Sequence, residues 1–593
     1  MDEATWTREV LQRGVPQLTV RALVTGLGLG FVLSFANVYI GLSTGWFFSM
    51  ALAACLASFG LWRVLAALRI ARSPLSILET SCMQSTASSA AYATGNMAVG
   101  VIPALLLMGT QPSSFALAAW IACIAALGVT LAIPLKRQLV NRERLAFPSG
   151  TAAAIMLHGL HRGGTAITAN LRVLAAALGL GALLPILRGL SVIGASSRVF
   201  DWLPRWSAGG ATYAVSDAGL VVDHSLLLVG AGVFVGLRTT TWMLAGGLAT
   251  AFVLGPLGLD TGATTLPGTT WAELGTWLGA PLLVAYGVVA LAVRWRSFAR
   301  TFAWRAAPQD PETAAIEIPM RWFAIGFAGI GACAVVLGNL MFEIPIVLGI
   351  LAVLASLVLG AVACRITGET DITPGGPMGK LTQLAFGALH PQHPTTNLMT
   401  AAMTHASSVA AADLLTDLKA GYLLGAHPRR QFVAQAVGIV AGTIGSVLAY
   451  NLLVPDASVL VGTATEPARF AAPGAHQFRA IAELMQHGLA SLHPLKQALV
   501  VIGAIAGLVL AIAERAAPER ARRWMPSPAG LGLGVLLPVS TSLAMLIGAA
   551  TAAAITRRSP DAAPRIVWPA AAGLLAGESL AAVLVILVNT LVG

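Results

Sequence analysis

The sequence predicts an all-α, polytopic membrane protein, and hydropathy alone gives about 13 to 16 membrane-spanning segments. The first observation is composition: 56% of the 593 residues are hydrophobic and 10% are charged, whereas soluble proteins carry about 25% charged residues. The second is a pair of runs without Asp, Glu, Lys or Arg, from Ala22 to Trp62 and from Thr80 to Leu135. Since a spanning helix needs roughly 20 apolar residues, each run holds about two spans.

Basic loops between the apolar runs predict the orientation of the chain. Clusters of Lys and Arg lie at Arg63–Arg72 and Lys136–Arg144, and two spans fit between them. Cytoplasmic loops are enriched in Lys and Arg, so we expect these loops and the N-terminus to be cytoplasmic, in a protein of the cytoplasmic (inner) membrane. The net charge of +11 is scattered along the chain and forms no single basic face, so we expect no nucleic-acid partner.

The longest polar stretch divides the chain. Residues 294–321 hold five arginines with Asp310, Glu312 and Glu317. We interpret them as a cytoplasmic linker between an N-terminal membrane half, residues 1–293, and a C-terminal membrane half, residues 322–593. Ala87-Ser88-Ser89 and Ala406-Ser407-Ser408 each follow a polar break. This echo suggests related halves, because internal repeats are common in transporters.

Catalytic and metal-binding motifs are missing from the sequence. The five cysteines lie in apolar segments without a C-x-x-C pair, so we expect neither a zinc site nor a disulfide framework. The pairs His158/His161 and His390/His393 are too isolated to predict a metal site. The sequence contains no H-E-x-x-H motif, and its one G-x-S-x-G match, Gly41–Gly45, lies inside a long apolar run and not at the strand-to-helix turn that this motif requires. We therefore expect no enzyme activity and no cofactor.

Glycines spaced as G-x-x-x-G predict close helix packing. This spacing occurs at Gly41–Gly45, Gly421–Gly425, Gly438–Gly442 and Gly573–Gly577. Small residues let membrane helices approach each other closely. Together the four matches predict a tightly packed bundle and imply no particular site.

Four polar regions inside the apolar runs are candidates for function, because polar groups at bilayer depth are costly. The first contains Tyr39, Gly41, Thr44 and Gly45. The glycines and hydroxyls favour an unwound stretch, which a membrane tolerates where backbone lines a cavity. The alternative is a short external turn between two spans.

The second region, Pro148-Ser149-Gly150-Thr151, follows a basic loop. Proline fits the first turn of a helix, so we expect a helix to begin at Pro148. If it is a half-helix in the membrane, its N-terminal dipole with Ser149 and Thr151 would face an anion. An ordinary helix start after a loop is the alternative.

The third region, Gly368–Lys380, resembles a phosphate-binding loop but fails the test. Pro374 stands where a Walker A loop requires glycine, and Leu381 where it requires Ser or Thr. The prolines and glycines instead predict a helix break, bracketed by Glu369 and Lys380.

The fourth region, Asn397–Gly425, is the strongest candidate. It carries His405, Asp413, Asp417 and Lys419. Asp413 and Asp417 share one face of a helix because they are four residues apart, and close carboxylates resist carrying two negative charges, which makes a plausible proton carrier. The alternative is an interfacial helix end at which the carboxylates meet Lys419 and water.

Long strings in one order resemble the oligopeptide transporter superfamily (OPT), which includes the yellow stripe-like metal-chelate carriers. They include Y-x-G-x-x-T-G-W at 39–46, E-x-x-x-x-Q-x-x-A-S at 79–88, VIPALLLMG at 101–109 and PSGTA at 148–152. The C-terminal strings are GKLTQLAFG at 379–387, ADLLTDLKAGYLLGAHPRRQF at 412–432, GLGVLLPVSTSL at 532–543 and LLAGESL at 574–580.

The resemblance implies about 16 spans in two duplicated halves, including broken or re-entrant segments, and proton-coupled uptake of small peptides or metal chelates. Glu79 with Ser85–Ser89 agrees with the bacterial peptide-type pattern, whereas Pro148–Thr151 is closer to the metal-chelate branch.

The sequence therefore predicts a proton-coupled symporter that imports small oligopeptides, with metal-chelate transport as the alternative and a passive channel as a remoter one. The bilayer, protons and the solute are the expected partners, and no oligomeric state is predicted. We expect the proton to be carried by Asp413 and Asp417, with His405 and Glu369. The predicted substrate contacts are Tyr39, Gly41, Thr44, Gly45, Glu79, Gln84, Ser149, Thr151, Lys380, Asn397 and Lys419.

Overall fold

The architecture is almost entirely helical, as the sequence predicts. A computed structural model describes residues 3–45, 51–71, 73–162, 165–208, 210–264, 271–293, 315–370, 373, 375–463, 468–522, 524–560 and 563–592. Ten helices in these ranges are long and apolar enough to cross a membrane. Three shorter apolar helices, Ala57–Ala67, Leu226–Val235 and Leu274–Val289, accompany them. The all-α, multi-pass class is therefore confirmed.

The helices of the N-terminal part precede residue 294. They are α1 Glu3–Glu9, α2 Val20–Thr44, α3 Ala51–Ala67, α4 Ile77–Val99, α5 Val101–Leu107, α6 Ser114–Lys136, α7 Pro148–Arg162, α8 Thr165–Gly189, α9 Leu226–Val235, α10 Leu237–Ala249, α11 Gly255–Asp260 and α12 Trp271–Val293.

The C-terminal part contains twelve further helices among its described residues. They are α13 Met320–Phe342, α14 Ile346–Thr370, α15 Gly375–Leu389, α16 Pro394–Leu424, α17 Pro428–Leu453, α18 Ser458–Val461, α19 Pro473–His487, α20 Pro494–Ala516, α21 Glu519–Arg522, α22 Pro528–Gly534, α23 Val539–Arg558 and α24 Trp568–Val592.

The strands form one small polar insertion between α8 and α9. β1 (Ser196–Ser197) pairs antiparallel with β4 (Val222–Asp223), and β2 (Trp206–Ala208) pairs with β3 (Ala211–Tyr213). Within the described residues, these two-stranded ladders are the whole sheet content.

Helix α16 forms the centre of the bundle. It runs for 31 residues without interruption, and every residue from Thr396 to Gly421 is buried. Pro394 lies in its first turn, and Gly425 ends it with a φ of 74°, a left-handed conformation that favours glycine. Helices α4, α6, α7, α14, α15 and α17 all pack against it. A helix that is covered on all sides can hold polar groups away from lipid.

Two of the predicted G-x-x-x-G pairs lie at close helix contacts. On α17, Gly438 and Gly442 face the backbone carbonyl oxygens of Thr86 and Ala90 on α4. On α24, Gly573 and Gly577 face α8 in the same way. A Cβ atom at these glycines would overlap backbone of the neighbouring helix, so the tight packing predicted from the spacing is confirmed here.

The N-terminal segment packs on the end of α16, and we call this side of the molecule the basic face. Trp6 stacks on Tyr422 with ring centroids 4.6 Å apart and donates a hydrogen bond to its carbonyl oxygen at 2.9 Å. Lys136, at the end of α6, pairs with Glu317, and Arg429 donates to the carbonyl oxygen of Glu317 at 2.7 Å. Basic residues from two separate parts of the sequence, Lys136 and Arg429, therefore meet near one end of α16.

Most of the predicted linker lies outside the described residues, because residues 294–314 are not described. Helix α13 begins at Met320, two residues before the predicted start of the C-terminal half. The division into two related halves stays a prediction.

Candidate functional site

The candidate site lies on α16, where Asp413 and Asp417 face the same side. Their exposed fractions are 9% and 1%, although both carry ionisable groups. The helix is continuous to Leu424, and α17 begins only at Pro428. The two carboxylates therefore lie inside the bundle and do not form an exposed helix end.

The amide of Gln435 on α17 connects the two carboxylates. Its Nε2 atom donates to Asp413 Oδ2 at 2.9 Å and to Asp417 Oδ2 at 3.1 Å. One neutral side chain thus holds the two aspartates next to each other.

Helix α4 supplies the remaining donors to the aspartate pair. Gln84 Nε2 donates to Asp417 Oδ1 at 2.7 Å, and Ser88 Oγ donates to Asp413 Oδ1 at 3.0 Å. Gln431 Nε2 donates to the Asp417 carbonyl oxygen at 3.0 Å. The predicted residue Gln84 therefore belongs to the same cluster as the aspartates.

The described residues of the cluster supply hydrogen-bond donors but no counter-charge. Among the described residues, no Lys, Arg or His nitrogen forms a salt bridge within 4.0 Å of either aspartate. Lys419 follows Asp417 by two residues, which places it on another face of α16. The alternative of an interfacial helix end, with the carboxylates paired to Lys419 in water, is therefore wrong.

Helix α7 begins at Pro148, as predicted, and its first turn packs on α16 beside the aspartates. A Cβ atom at Gly150 would overlap the carbonyl oxygen of Thr416. Thr151 Oγ1 donates to the Ala146 carbonyl oxygen at 2.7 Å, and Ser149 is half-buried. The Pro148–Thr151 turn thus lies one residue along α16 from Asp417.

The predicted unwinding around Gly41 is wrong. Helix α2 continues to Thr44 and ends at Gly45, which has a φ of 71°. Inside the helix, the Gly41 carbonyl oxygen accepts the Gly45 amide, and Thr44 donates to the Ile40 carbonyl oxygen at 2.8 Å. The alternative, a turn after a complete span, fits this helix end; residues 46–50 lie outside the described residues.

Tyr39 is half-buried on α2 and packs edge-on against Phe470 at 5.5 Å between ring centroids. It packs beside α19, since Ala472 donates to the Leu42 carbonyl oxygen at 2.8 Å. Neither of these contacts involves the aspartate pair.

Glu79 is a helix cap, which differs from the predicted substrate contact. It completes a capping box with Ser76 at the start of α4 and forms a salt bridge to Arg21 at 2.6 Å. Thr19 donates to its other carboxylate oxygen at 2.7 Å. Both oxygens of Glu79 are therefore occupied by the protein itself.

The predicted helix break after Glu369 is present, because α14 ends at Thr370 and α15 begins at Gly375. The side chain of Glu369 lies outside the described residues, as do residues 371, 372 and 374. Lys380 is buried and donates to the Gln477 side chain on α19.

His405 and Asn397 lie too far along α16 to share the aspartate site. His405 precedes Asp413 by eight residues, about 12 Å of helix, and Asn397 precedes it by 16 residues, about 24 Å. His405 instead packs against Gly379, next to Lys380. The predicted grouping of His405 with the proton-carrying aspartates is not seen.

Sequence reasoning missed Gln431, Gln435 and Ser88. These three residues could have been recognised as candidates, because amide and hydroxyl side chains inside apolar runs are uncommon. Their partners could not be found in the same way, since Gln435 is 22 residues from Asp413 and Ser88 is 325 residues from it.

Glu578 forms a second buried polar group, which pairs across helices. Its carboxylate accepts the Leu227 amide at the start of α9 at 2.8 Å and lies 3.8 Å from Arg188 on α8. This arrangement holds α8, α9 and α24 together.

The His390/His393 pair is stacked, with ring centroids 4.0 Å apart and an angle of 11° between the planes. Parallel rings direct their nitrogen lone pairs into separate planes, which does not suit binding of one metal ion. Among the described residues, no group of three or more His, Cys, Asp or Glu could hold a metal.

A cavity opens at the end of α16 that is opposite to the basic face. Its volume is about 600 Å³, and Gln111, Glu343, His393 and Thr396 are among its lining residues. Binding sites for small molecules typically measure about 300–1,000 Å³, so a small solute fits this cavity.

Comparison with known proteins gives a consistent set of relatives. The sequence profile of the OPT oligopeptide transporter proteins matches residues 17–589. The iron-phytosiderophore transporter yellow stripe 1 of Zea mays is 24% identical over 96% of this chain and 90% of its own length. The metal-nicotianamine transporter YSL2 of Arabidopsis thaliana is 23% identical over 95% and 92%. A Saccharomyces cerevisiae protein named as an oligopeptide transporter is 25% identical over 73% and 77%.

Proposed function

Because the chain belongs to the family of OPT oligopeptide transporters, we propose that it is a proton-coupled secondary transporter of the cytoplasmic membrane. The observation that carries this proposal is the pair Asp413 and Asp417, buried on the central helix with no salt-bridge partner in the part of the chain that the structure describes. The transported solute is a small molecule with amino-acid carboxylates, a class that contains both short peptides and metal–nicotianamine chelates.

The proton role follows from the charge of the pair. Two ionised carboxylates held by neutral amides and a hydroxyl would place two negative charges in a medium of low dielectric constant, which is costly. A proton bound between them removes one charge and adds a donor. Deprotonation towards one side of the membrane and reprotonation from the other would couple the pair to transport.

The relatives favour a metal chelate as the solute. Those that align over 95% or more of this chain are named for metal–nicotianamine or iron–phytosiderophore transport. Short peptides are the second candidate, favoured by the name of the family and of the yeast relative. Both carry carboxylate groups, which Lys380, Lys419 and the α7 N-terminus could attract by charge.

Uptake into proteoliposomes tests the coupling. We expect an acidic outside to drive accumulation of labelled iron–nicotianamine, and Asp413→Asn and Asp417→Asn to reduce it at least about tenfold, which corresponds to about 1.4 kcal/mol. Asp456→Asn, in an exposed loop, is the matched control and should accumulate solute like the wild type. Wild-type accumulation in both Asp413→Asn and Asp417→Asn would remove the aspartate pair from the mechanism.

The same vesicles separate the solute classes and the channel alternative. Labelled iron–nicotianamine and labelled dialanine are compared at equal concentration, each with and without a pH gradient. A passive channel would equilibrate the solute and never concentrate it. Accumulation of dialanine but not of the chelate would reverse our order of the two candidates.

A further inference from the structure

The N-terminal segment binds the last turn of α16, and we call its residues 6–17 the clasp. Trp6 Nε1 donates to the Tyr422 carbonyl oxygen at 2.9 Å, and Gln12 Nε2 donates to the Leu424 carbonyl oxygen at 3.1 Å. The last carbonyl groups of a helix have no partner within the helix. The clasp therefore supplies hydrogen bonds that α16 cannot supply for itself.

The clasp also holds the turn that joins α16 to α17. The Gln12 amide donates to the Gly425 carbonyl oxygen at 3.0 Å, and Gln17 Oε1 accepts the His427 amide at 2.9 Å. Four residues after His427, Gln431 contacts α16 at the aspartate pair. The clasp thus fixes the helix that supplies amides to the two carboxylates.

An apolar layer separates the aspartate pair from the basic face. Leu424 follows Asp417 by seven residues, which is about 10 Å of helix. Val15 of the clasp packs on this layer. Since apolar interiors exclude water, the layer must part before a proton or a solute can pass from the aspartates to this face. Its buried members are Cys55, Leu78, Ala153, Ala154, Leu157, Ala420, Leu424 and Ala426.

The two ends of α16 differ in their access to solvent. The end opposite to the basic face opens into the cavity of about 600 Å³, whereas the clasp and the apolar layer cover the other end. A carrier with alternating access opens its binding site to one side at a time. A pocket of about 410 Å³ between the clasp and the start of α17 leaves room for the clasp to move.

We propose that the clasp is the gate of the basic face. It holds the apolar layer closed while the opposite cavity is open, and its release connects the aspartate pair to the solution at this face. One ring stack and a few hydrogen bonds attach it, and each is a modest interaction that can break and re-form. The use of this release in transport rests on the transport function proposed above, whereas the release itself is measured without transport.

The native thiol of Cys55 reports release of the clasp, because it is fully buried in the apolar layer. Purified full-length protein with Cys333→Ser is treated with N-ethylmaleimide, and labelling of each cysteine is followed by peptide mass spectrometry. Trp6→Ala loses the ring stack and one hydrogen bond, and Gln12→Ala loses one side-chain hydrogen bond. We expect each variant to speed labelling of Cys55, by at least about fivefold in Trp6→Ala.

Two controls separate release of the clasp from general loosening of the fold. Trp524→Ala removes a tryptophan that is 86% exposed outside the clasp, and it should label like the parent protein. Cys123 is buried in another part of the core and should stay slow in every variant. Unchanged labelling of Cys55 in both clasp variants, or labelling of Cys55 and Cys123 that rises in parallel, would overturn the proposal.

Cross-linking tests whether the clasp must move during transport. Leu11→Cys on the clasp and Arg430→Cys on α17 line the same pocket, so a bismaleimide can join them in the Cys333→Ser protein before reconstitution. We expect the cross-link to reduce proton-driven uptake at least about tenfold, since a gate that cannot open blocks turnover. N-ethylmaleimide, which modifies both thiols without joining them, should leave uptake in place.

Undiminished uptake by the cross-linked protein would show that the clasp is not a gate. Absence of uptake of labelled iron–nicotianamine and of labelled dialanine by the unmodified protein would instead count against the proposed transport function. Labelling of Cys55 then still decides whether the clasp opens.

Discussion

At the scale of single residues, the candidate site depends on one amide. Gln435 donates to Asp413 and to Asp417, so it fixes the distance between the two carboxylates. Buried acceptors that lose their donor cost about 1–3 kcal/mol. Gln435 is therefore a positioning residue for the proposed proton carriers.

Replacement of Gln435 by leucine should destabilise the protein by about 1–3 kcal/mol, because two buried carboxylates lose a shared donor. Thermal unfolding in detergent measures the loss, and Gln392→Leu, in an exposed loop, is the control that should unfold like the wild type. An unchanged unfolding temperature for Gln435→Leu would mean that the amide does not support the pair.

Glu79 can be tested as a cap against its predicted role as a substrate contact. Glu79→Gln keeps an acceptor for the Ser76 amide but loses the charge that pairs with Arg21, whereas Glu79→Ala loses both. We therefore expect unfolding temperatures in the order wild type, Glu79→Gln, Glu79→Ala, since loss of a cap alone costs about 1 kcal/mol.

The transport KM of Glu79→Gln decides between the two roles. A structural cap leaves KM close to that of the wild type, measured by uptake into proteoliposomes. A KM raised tenfold with unchanged stability would restore Glu79 as a substrate contact.

Single residues also show which features of the candidate site were predictable from the sequence. The shared face of Asp413 and Asp417 was predictable, because side chains four residues apart are neighbours on the same face of a helix. The contact between Asp413 and Ser88 was not, since it joins residues 325 positions apart. The capping role of Glu79 was not predictable, because a motif shared with a family does not say whether a carboxylate binds solute or caps a helix.

At the scale of helices, the site is assembled by the close approach of α4, α16 and α17. Gly438 lies three residues after Gln435 and allows α17 to contact the α4 backbone at Thr86. Gly438, which has no side chain of its own, thus sets the distance between α17 and α4. This distance in turn positions the Gln435 amide beside the two aspartates.

Gly438→Ala should push α17 away from α4, because the new Cβ would overlap a backbone oxygen that cannot rotate away. Such overpacking costs about 1–3 kcal/mol, which lowers the unfolding temperature. Gly179→Ala on α8, where nothing lies within 4 Å, is the matched control and should unfold at or slightly above the wild-type temperature. Equal behaviour of the two variants would contradict the close packing described here.

Helix boundaries were predictable where the side chain itself restricts the backbone. Pro148 begins α7, and the proline- and glycine-rich stretch after Thr370 separates α14 from α15. The region around Gly41 was misjudged, because glycine permits unwinding without requiring it. In the structure, α2 continues as a regular helix through Gly41 and ends at Gly45.

At the scale of the whole molecule, the two ends of α16 differ in character. One end meets the N-terminal segment, Lys136 and Arg429 on the basic face. The other opens into the cavity that contains Glu343 and His393. By the distribution of Lys and Arg, we expect the basic face to lie in the cytoplasm and the cavity to open to the outside.

Cysteine labelling in intact cells tests this orientation. Arg8→Cys lies on α1 at the basic face, and Gln392→Cys lies at the opposite cavity; both positions are exposed. We expect a membrane-impermeant maleimide to label Gln392→Cys directly and Arg8→Cys only after permeabilisation. The Cys333→Ser background removes the exposed native thiol, and the reverse labelling pattern would invert the assigned orientation.

The unbroken length of α16 has a mechanical consequence. At about 1.5 Å per residue, its 31 residues form a rod of about 46 Å. Its first turn, Pro394–Thr396, lines the cavity that contains Glu343 and His393, and its later turns carry Asp413 and Asp417. A rod cannot tilt at one end without moving the other, so a solute that draws the cavity walls together would shift the two carboxylates relative to Gln84 and Gln435. Movement of this one rigid helix would then couple solute capture at its first turn to proton release at its later turns.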